Sequence, residues 1–318
     1  MSSENLVAIE RKQFNWRDWF VYFVLAGLII AFGILNKAFL TPENFESIGR
    51  QTAMVSIVAF GMTFIITSGN IDLSVGSIVG LAGTATAMFM QAGVSIYASS
   101  IFGILIGTGF GLINGLLVAK AKIPAFLVTL GTMGIARGLA LLLTNTKAVI
   151  IISDTFARLW GAGSTGVIPT AILWTAVIFA IAFWLYHYTT FGNHVKATGG
   201  NRKAALYSGI KIDKIIILVF VLGALMAAIS GLIMAARLKS GRPEVGAGME
   251  LDAIAAVILG GTALSGGRGK IVNTLVGSLI MGIIVNGLII MGVPSNVQQI
   301  VKGIIIIAAV SLSEKTKD

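Results

Sequence analysis

The chain has 318 residues, of which 56% are hydrophobic and only 11% charged, with a mean hydropathy of +0.92. A soluble domain carries about a quarter charged residues, so this composition excludes an ordinary soluble enzyme and points to an all-α polytopic membrane protein. With no cysteine and two histidines, His187 and His194, the chain offers no disulfide framework, no thiolate or imidazole metal site and no thiol nucleophile. The net charge of +10 is spread between apolar runs, where basic residues set topology, and is not the footprint of a nucleic-acid-binding protein.

Residues 1–18 are polar and carry no cleavage signal, so they read as a cytoplasmic tail. A bilayer crossing takes roughly 20 apolar residues. That ruler finds about ten spans, at 19–36, 51–69, 73–90, 96–119, 123–143, 168–188, 214–236, 252–266, 271–291 and 298–313. The eighth is short and Gly-rich, so a tilted or re-entrant segment is the alternative and eight to ten spans is the range. The basic residues fall in roughly two-to-one excess on the side of the N-terminus, which places both termini, including a tail at 314–318, in the cytoplasm. Residues 19–313 thus form one transmembrane domain. Arg137 and Lys302 are left inside spans.

Between the second and third spans stands Gly69-Asn70-Ile71-Asp72-Leu73-Ser74. Asp72 is either a capping aspartate for the tight turn, satisfied by Ser74 or by backbone N–H groups, or a group that moves substrate or protons. The fourth span carries Gly103, Gly107, Gly111 and Gly115 in one row, which predicts a close helix–helix contact. Asn114, near its end, either bridges helices or touches a polar solute, and Asn286 in the ninth span reads the same way. Ile113-Asn114-Gly115-Leu116 matches Val285-Asn286-Gly287-Leu288 five spans later, as an inverted five-plus-five repeat would. Arg137 either lines a pathway or pairs inside the bundle.

The polar interlude at 191–214 has five basic residues against Asp213. Asn201 as N-cap and Gly209 past the C-terminus predict a two-turn helix over 202–208, too short to stand undocked. It is either a topology signal or a working part. Further on, Glu244, Glu250 and Asp252 read as exposed charges on an outward loop. Leu264-Ser265-Gly266-Gly267-Arg268 resembles an ATPase signature, but the P-loop that must accompany it is missing from the sequence, so the segment reads as a glycine turn. No motif for hydrolytic, metal or nucleotide chemistry is present in the sequence. The chain reads as a transport subunit rather than an enzyme, with no cofactor or metal of its own.

Four stretches, SGNIDLSVGSIVGLAG (68–83), AKIPAFLVTLGTMGIARGL (121–139), ATGGNRKAALYSGIKIDK (197–214) and ELDAIAAVILGGTALSGGRG (250–269), with the tail VKGIIIIAAV (301–310), resemble the permease subunits of bacterial ABC-type monosaccharide importers. Within the ribose/xylose/galactoside group the likeness is nearest to the ribose type; Asn70 departs from the glycine expected in many relatives. The resemblance implies a multi-pass permease of the bacterial plasma membrane, working as a homodimer around one sugar pathway. It also implies a cytoplasmic ABC ATPase that uses ATP and Mg, and an extracytoplasmic sugar-binding protein. Residues 197–214 match the coupling region, which nominates Thr198, Gly199, Gly200, Asn201, Arg202, Ala204, Ala205, Leu206, Gly209 and Ile210 for the ATPase contact. A bulky charge at Ala205 is then expected to uncouple the ATPase without unfolding the chain. Asn70, Asp72, Ser74, Asn114, Arg137 and Asn286 are the pathway or turn candidates. An ion-coupled secondary transporter is the alternative, and it would favour more titratable groups at mid-membrane.

Overall fold

The computed structural model describes residues 16–165 and 168–314; the tails at 1–15 and 315–318 lie outside the described residues. Every predicted span corresponds to a helix. In chain order they are α1 (Trp16–Leu35), α2 (Pro42–Thr67), α3 (Val75–Gln91), α4 (Ile96–Ala119), α5 (Ala125–Thr144), α7 (Thr170–Tyr188), α10 (Ile212–Leu238), α11 (Met249–Leu259), α12 (Ile271–Ile290) and α13 (Ser295–Glu314). Between them lie three shorter α-helices, α6 (Asp154–Trp160), α8 (Thr190–Gly200) and α9 (Arg202–Tyr207), and a 3-10 turn at Lys37–Leu40. Among the described residues, six helices, α2, α4, α5, α7, α10 and α12, are long and apolar enough to cross a membrane. The protein is an all-α polytopic membrane protein.

The core is built on α2 and α10, which pack against each other. In addition α10 packs against α3 and α4, and α2 against α11 and α12. The glycine row of α4 lies inside this core. A Cβ on Gly103 would collide with Thr86, on Gly107 with Ala228, on Gly111 with Ala224 and the Phe220 carbonyl, and on Gly115 with the Ile217 backbone. The close contact predicted from the spacing is therefore present, and it is made to α3 and α10. Without a hydrophobic driving force in lipid, this backbone approach gains dispersion contacts that larger side chains would block.

The eighth predicted span differs from the expectation of one helix over 252–266. At 11 residues, α11 is about 16 Å long, half of the ~30 Å hydrocarbon core. The chain leading into it is a run of turns, with Val245 N donating to Arg242 O, Ala247 N to Glu244 O and Met249 N to Gly246 O. It begins at strand β4 (Ser240–Gly241), which pairs antiparallel with β1 (Val149–Ile150). From there it runs down beside α3: Gly241 lies against Thr84 and Ala87, the carbonyls of Pro243 and Val245 against Gly80, and Gly246 against Gly76. Irregular backbone inside a bundle is tolerated only where protein groups satisfy it, and Arg137 of α5 does so by donating from Nη1 to the carbonyls of Pro243 and Val245, the latter at 2.9 Å.

This arrangement corrects the reading of Glu250 and Asp252 as exposed; Glu244 is exposed, as expected. Glu250 is half-buried beside Gly76, and Asp252 is bonded to Lys302 of α13 at 2.8 Å. The period of the sequence could not reveal it, because a broken span joins a run of turns to a helix too short to show a face.

Candidate functional site

The polar interlude forms two helices where the sequence predicted one. The predicted helix is present as α9, and its caps are as expected: Asn201 Oδ1 accepts from Ala204 N at 3.0 Å, and Gly209 has φ +82°. The helix before it, α8, was missed because two glycines end it and its composition is polar. Its start does carry a signal, since Thr189 Oγ1 accepts from Gly192 N at 3.3 Å as an N-cap.

The glycines of α8 form a junction with two distant segments. Gly199 lies against the Thr67 carbonyl at the end of α2, and Gly200 against Gly267. Gly267 N donates to Thr67 O at 2.8 Å, and Gly266 sits against Gly199 and Gly69. Gly69, Gly266 and Gly267 all have positive φ, +81°, +86° and +80°, so glycine is needed here both for backbone conformation and for close approach. The segment that resembles an ATPase signature is thus a glycine turn, as expected, and its place is under α8.

Aromatic packing closes the same junction. Phe64 of α2 stacks on Phe191 of α8 with centroids 5.8 Å apart and meets Tyr186 of α7 edge-on at 5.3 Å. Thr67 Oγ1 and Tyr186 Oη are 3.1 Å apart, and Lys196 Nζ stands 4.6 Å from the centroid of the Tyr186 ring. Burial holds the Lys196 ammonium below its usual pKa. Val195 and Thr198 are buried, so α8 is anchored to the ends of α2 and α7.

By contrast, α9 faces out. Leu206 and Tyr207 are 61% and 89% exposed, and Arg202 and Lys203 are exposed beside them. Ala204 and Gly209 are also exposed, Gly200 and Asn201 likewise, while Ile210 is half-buried and donates its N–H to Ala205 O at 3.1 Å. Ala205 is only 4% exposed and belongs to the core. A bulky charge there would disturb the packing of this chain, whereas Tyr207, the most exposed large side chain of α9, was not among the residues nominated from the sequence.

The turn before α3 stands against this junction through Gly69. Asn70 Nδ2 donates to Ser68 Oγ at 2.9 Å. Asp72 Oδ1 accepts from Ser74 N at 2.7 Å and from Ser74 Oγ at 2.6 Å, and Asn114 Nδ2 donates to Ser74 Oγ at 2.9 Å. All three side chains of this chain of bonds are fully buried. The donors to Oδ1 offset part of the cost of burying the carboxylate, while Asp72 Oδ2 and Asn114 Oδ1 are buried without a hydrogen-bond partner among the described residues. Asp72 holds the turn before α3, and Asn114 bridges α4 to it. Asn286 likewise bridges, donating from Nδ2 to Asn44 Oδ1 of α2 at 2.9 Å. Of the six turn or pathway candidates, Asn70, Asp72, Ser74 and Asn114 thus form one cluster. Arg137 braces the broken span, and Asn286 lies at the other end of α2.

Residues 44–310 match the family described as "branched-chain amino acid transport system / permease component". The chain is 44% identical to the ribose import permease protein RbsC of Bacillus subtilis (strain 168), over 91% of this chain and 90% of that protein. It is 38% identical to the D-allose transport system permease protein AlsC of Escherichia coli (strain K12), over 96% and 95% of the two chains. To the L-arabinose transport system permease protein AraH of the same strain it is 39% identical, over 93% and 90%. No solved structure matches the chain at a significant level.

Proposed function

The chain belongs to the branched-chain amino acid transport system / permease component family, and from that premise we propose that it is the membrane subunit of an ATP-driven monosaccharide importer, ribose-like in its sugar. The carrying observation is the sustained identity to the ribose import permease, 44% over nine-tenths of both chains. The family description mentions amino acids, yet the ribose, allose and arabinose permeases are each similar along the whole chain.

In this reading the permease sits in a bacterial plasma membrane with ten passages, the eighth being the turns at 242–248 plus α11, and with both termini in the cytoplasm. The packing of α2 with α11 and α12 parallels that of α10 with α3 and α4, which supports an inverted five-plus-five arrangement. Residues 19–313 are the single membrane domain and 191–214 its coupling loop. A second copy completes the pathway. A cytoplasmic ABC ATPase docks on α9, and an extracytoplasmic binding protein delivers the sugar. The ATPase holds the ATP and Mg, and this chain needs neither cofactor nor metal.

The mechanism rests on the glycine junction. Force on Leu206 and Tyr207 passes through α9 to α8, and from there to the ends of α2 and α7 and the turn before α3, because the contacts at Gly199, Gly200 and Gly267 are backbone to backbone and leave no side chain to yield. The test is uptake by proteoliposomes holding the permease, its ATPase and its binding protein. ATP-dependent entry of D-ribose is expected. Entry driven by an ion gradient without ATP, or ATP-dependent entry of leucine in place of sugar, would overturn the reading.

A further inference from the structure

The broken span leaves a chamber that neither the coupling surface nor the turn cluster uses. It lies between α2, α11, α12 and α13 and has a free volume of about 60 Å³, with Gln51, Thr52, Asp252, Ser278 and Lys302 set in a mostly apolar wall. The Asp252–Lys302 pair, at 2.8 Å with side chains 17% and 26% exposed, is the least exposed ion pair among the described residues. Thr52 Oγ1 is buried and has no hydrogen-bond partner. Gly282 of α12 makes room for it, since a Cβ there would collide with that hydroxyl.

An ion pair within a membrane bundle is costly to keep, and α13 needs none to pack its apolar face. An unpaired hydroxyl beside it adds to that cost. The set of groups is a carboxylate acceptor, an ammonium with three donors, two hydroxyls and an amide. Each hydroxyl of a polyol donates one bond and accepts another, so a polyol can pair with both members of the ion pair at once. A lone anion or cation would leave one of them facing a like charge.

Resting on the monosaccharide reading, we propose that this chamber is a station for the transported sugar within the permease, closed in the described form. The free volume admits water and is too small for a pentose, so α13, which carries Lys302, is the wall that withdraws. Asp252 then accepts from one hydroxyl of the sugar while Lys302 donates to its neighbour, and Thr52 and Ser278 pair with the hydroxyls beyond.

Because the chain has no cysteine, the test is clean. Thr52→Cys and Ser278→Cys are made separately and assembled with the ATPase and binding protein in proteoliposomes. Each is exposed to a small hydrophilic methanethiosulfonate reagent while ATP is turned over. Both thiols are expected to react, and saturating D-ribose to slow the reaction by about tenfold, with L-leucine without effect. Ala228→Cys, buried between α4 and α10, is the control and stays unreactive. If one variant fails to assemble, the other is read alone. If neither assembles, Asp252→Asn is read, with a rise in the ribose concentration needed for half-maximal uptake expected and no change overturning the proposal. Thiols that never react, that ignore ribose, or that are protected by leucine alone would also overturn it. When the wild-type assembly imports ribose and the thiols are indifferent to it, the station falls and the sugar reading stands. When the wild type imports no monosaccharide, the reading falls and the station with it.

Discussion

Asp72 shows how one buried residue can be weighed between two roles. Its Oδ1 holds the turn before α3 through two short bonds from Ser74, and asparagine offers an acceptor of the same shape in the same place. Asp72→Asn is therefore expected to leave thermal stability and sugar uptake close to wild type. Asp72→Ala removes the cap and costs about 1 kcal/mol, read as a lower melting temperature in detergent. Loss of uptake by a stably folded Asp72→Asn would instead give the carboxylate a role in moving charge, as an ion-coupled carrier would need. The sequence made this residue legible as a cap because Asp and Ser two apart before a helix have a local reason to bond. It could not supply Asn114, forty positions away, as the third member of the chain of bonds.

Two elements carry the sharper expectations. In α9, Tyr207→Ser and Leu206→Ser remove exposed apolar surface and leave the core untouched. They are expected to lower ATPase activity coupled to sugar by about tenfold or more, the scale of an interface anchor, while membrane insertion and melting stay unchanged. Ala205→Glu is expected to lower the melting temperature itself, because its Cβ lies in the core; equal stability with selective uncoupling would restore it as a docking residue. In the broken span, Arg137→Met leaves the carbonyls of Pro243 and Val245 without their donor, a loss of about 1–3 kcal/mol. Differential scanning fluorimetry reads that loss, and faster proteolysis in the stretch 239–248 locates it. The caps of α9 were legible in Asn201 and Gly209, whereas α8 was hidden by its polar, glycine-ended sequence and α11 by its short length.

Across the whole molecule, the described chain contains two similar packings, α2 with α11 and α12, and α10 with α3 and α4, joined where α2 meets α10. Helix α8 attaches to the end of one packing through Thr67 and to the turn that opens the other through Gly69. A push on α9 therefore reaches both halves together, which suits a protein that must open one side as it closes the other. Two copies enclosing one pathway are expected, so native mass spectrometry from nanodiscs should find twice the 33.3 kDa of the chain, and a strictly monomeric permease that transports sugar would remove the shared pathway.

The membrane class, the helices at the predicted places other than the eighth, the capped helix α9 and the glycine face of α4 were determined by the sequence alone. Each follows from local physics: the apolar length a bilayer demands, the donors a helix end leaves free, and the spacing that puts small residues on one side. The junction of Gly69, Gly199 and Gly267, the bracing of Pro243 and Val245 by Arg137, and the pairing of Asp252 with Lys302 were decided only in three dimensions. These join residues tens to more than a hundred positions apart, and their energetics come from close approach and from satisfying buried polar groups. No local pattern of residues encodes which distant backbone will lie against which glycine.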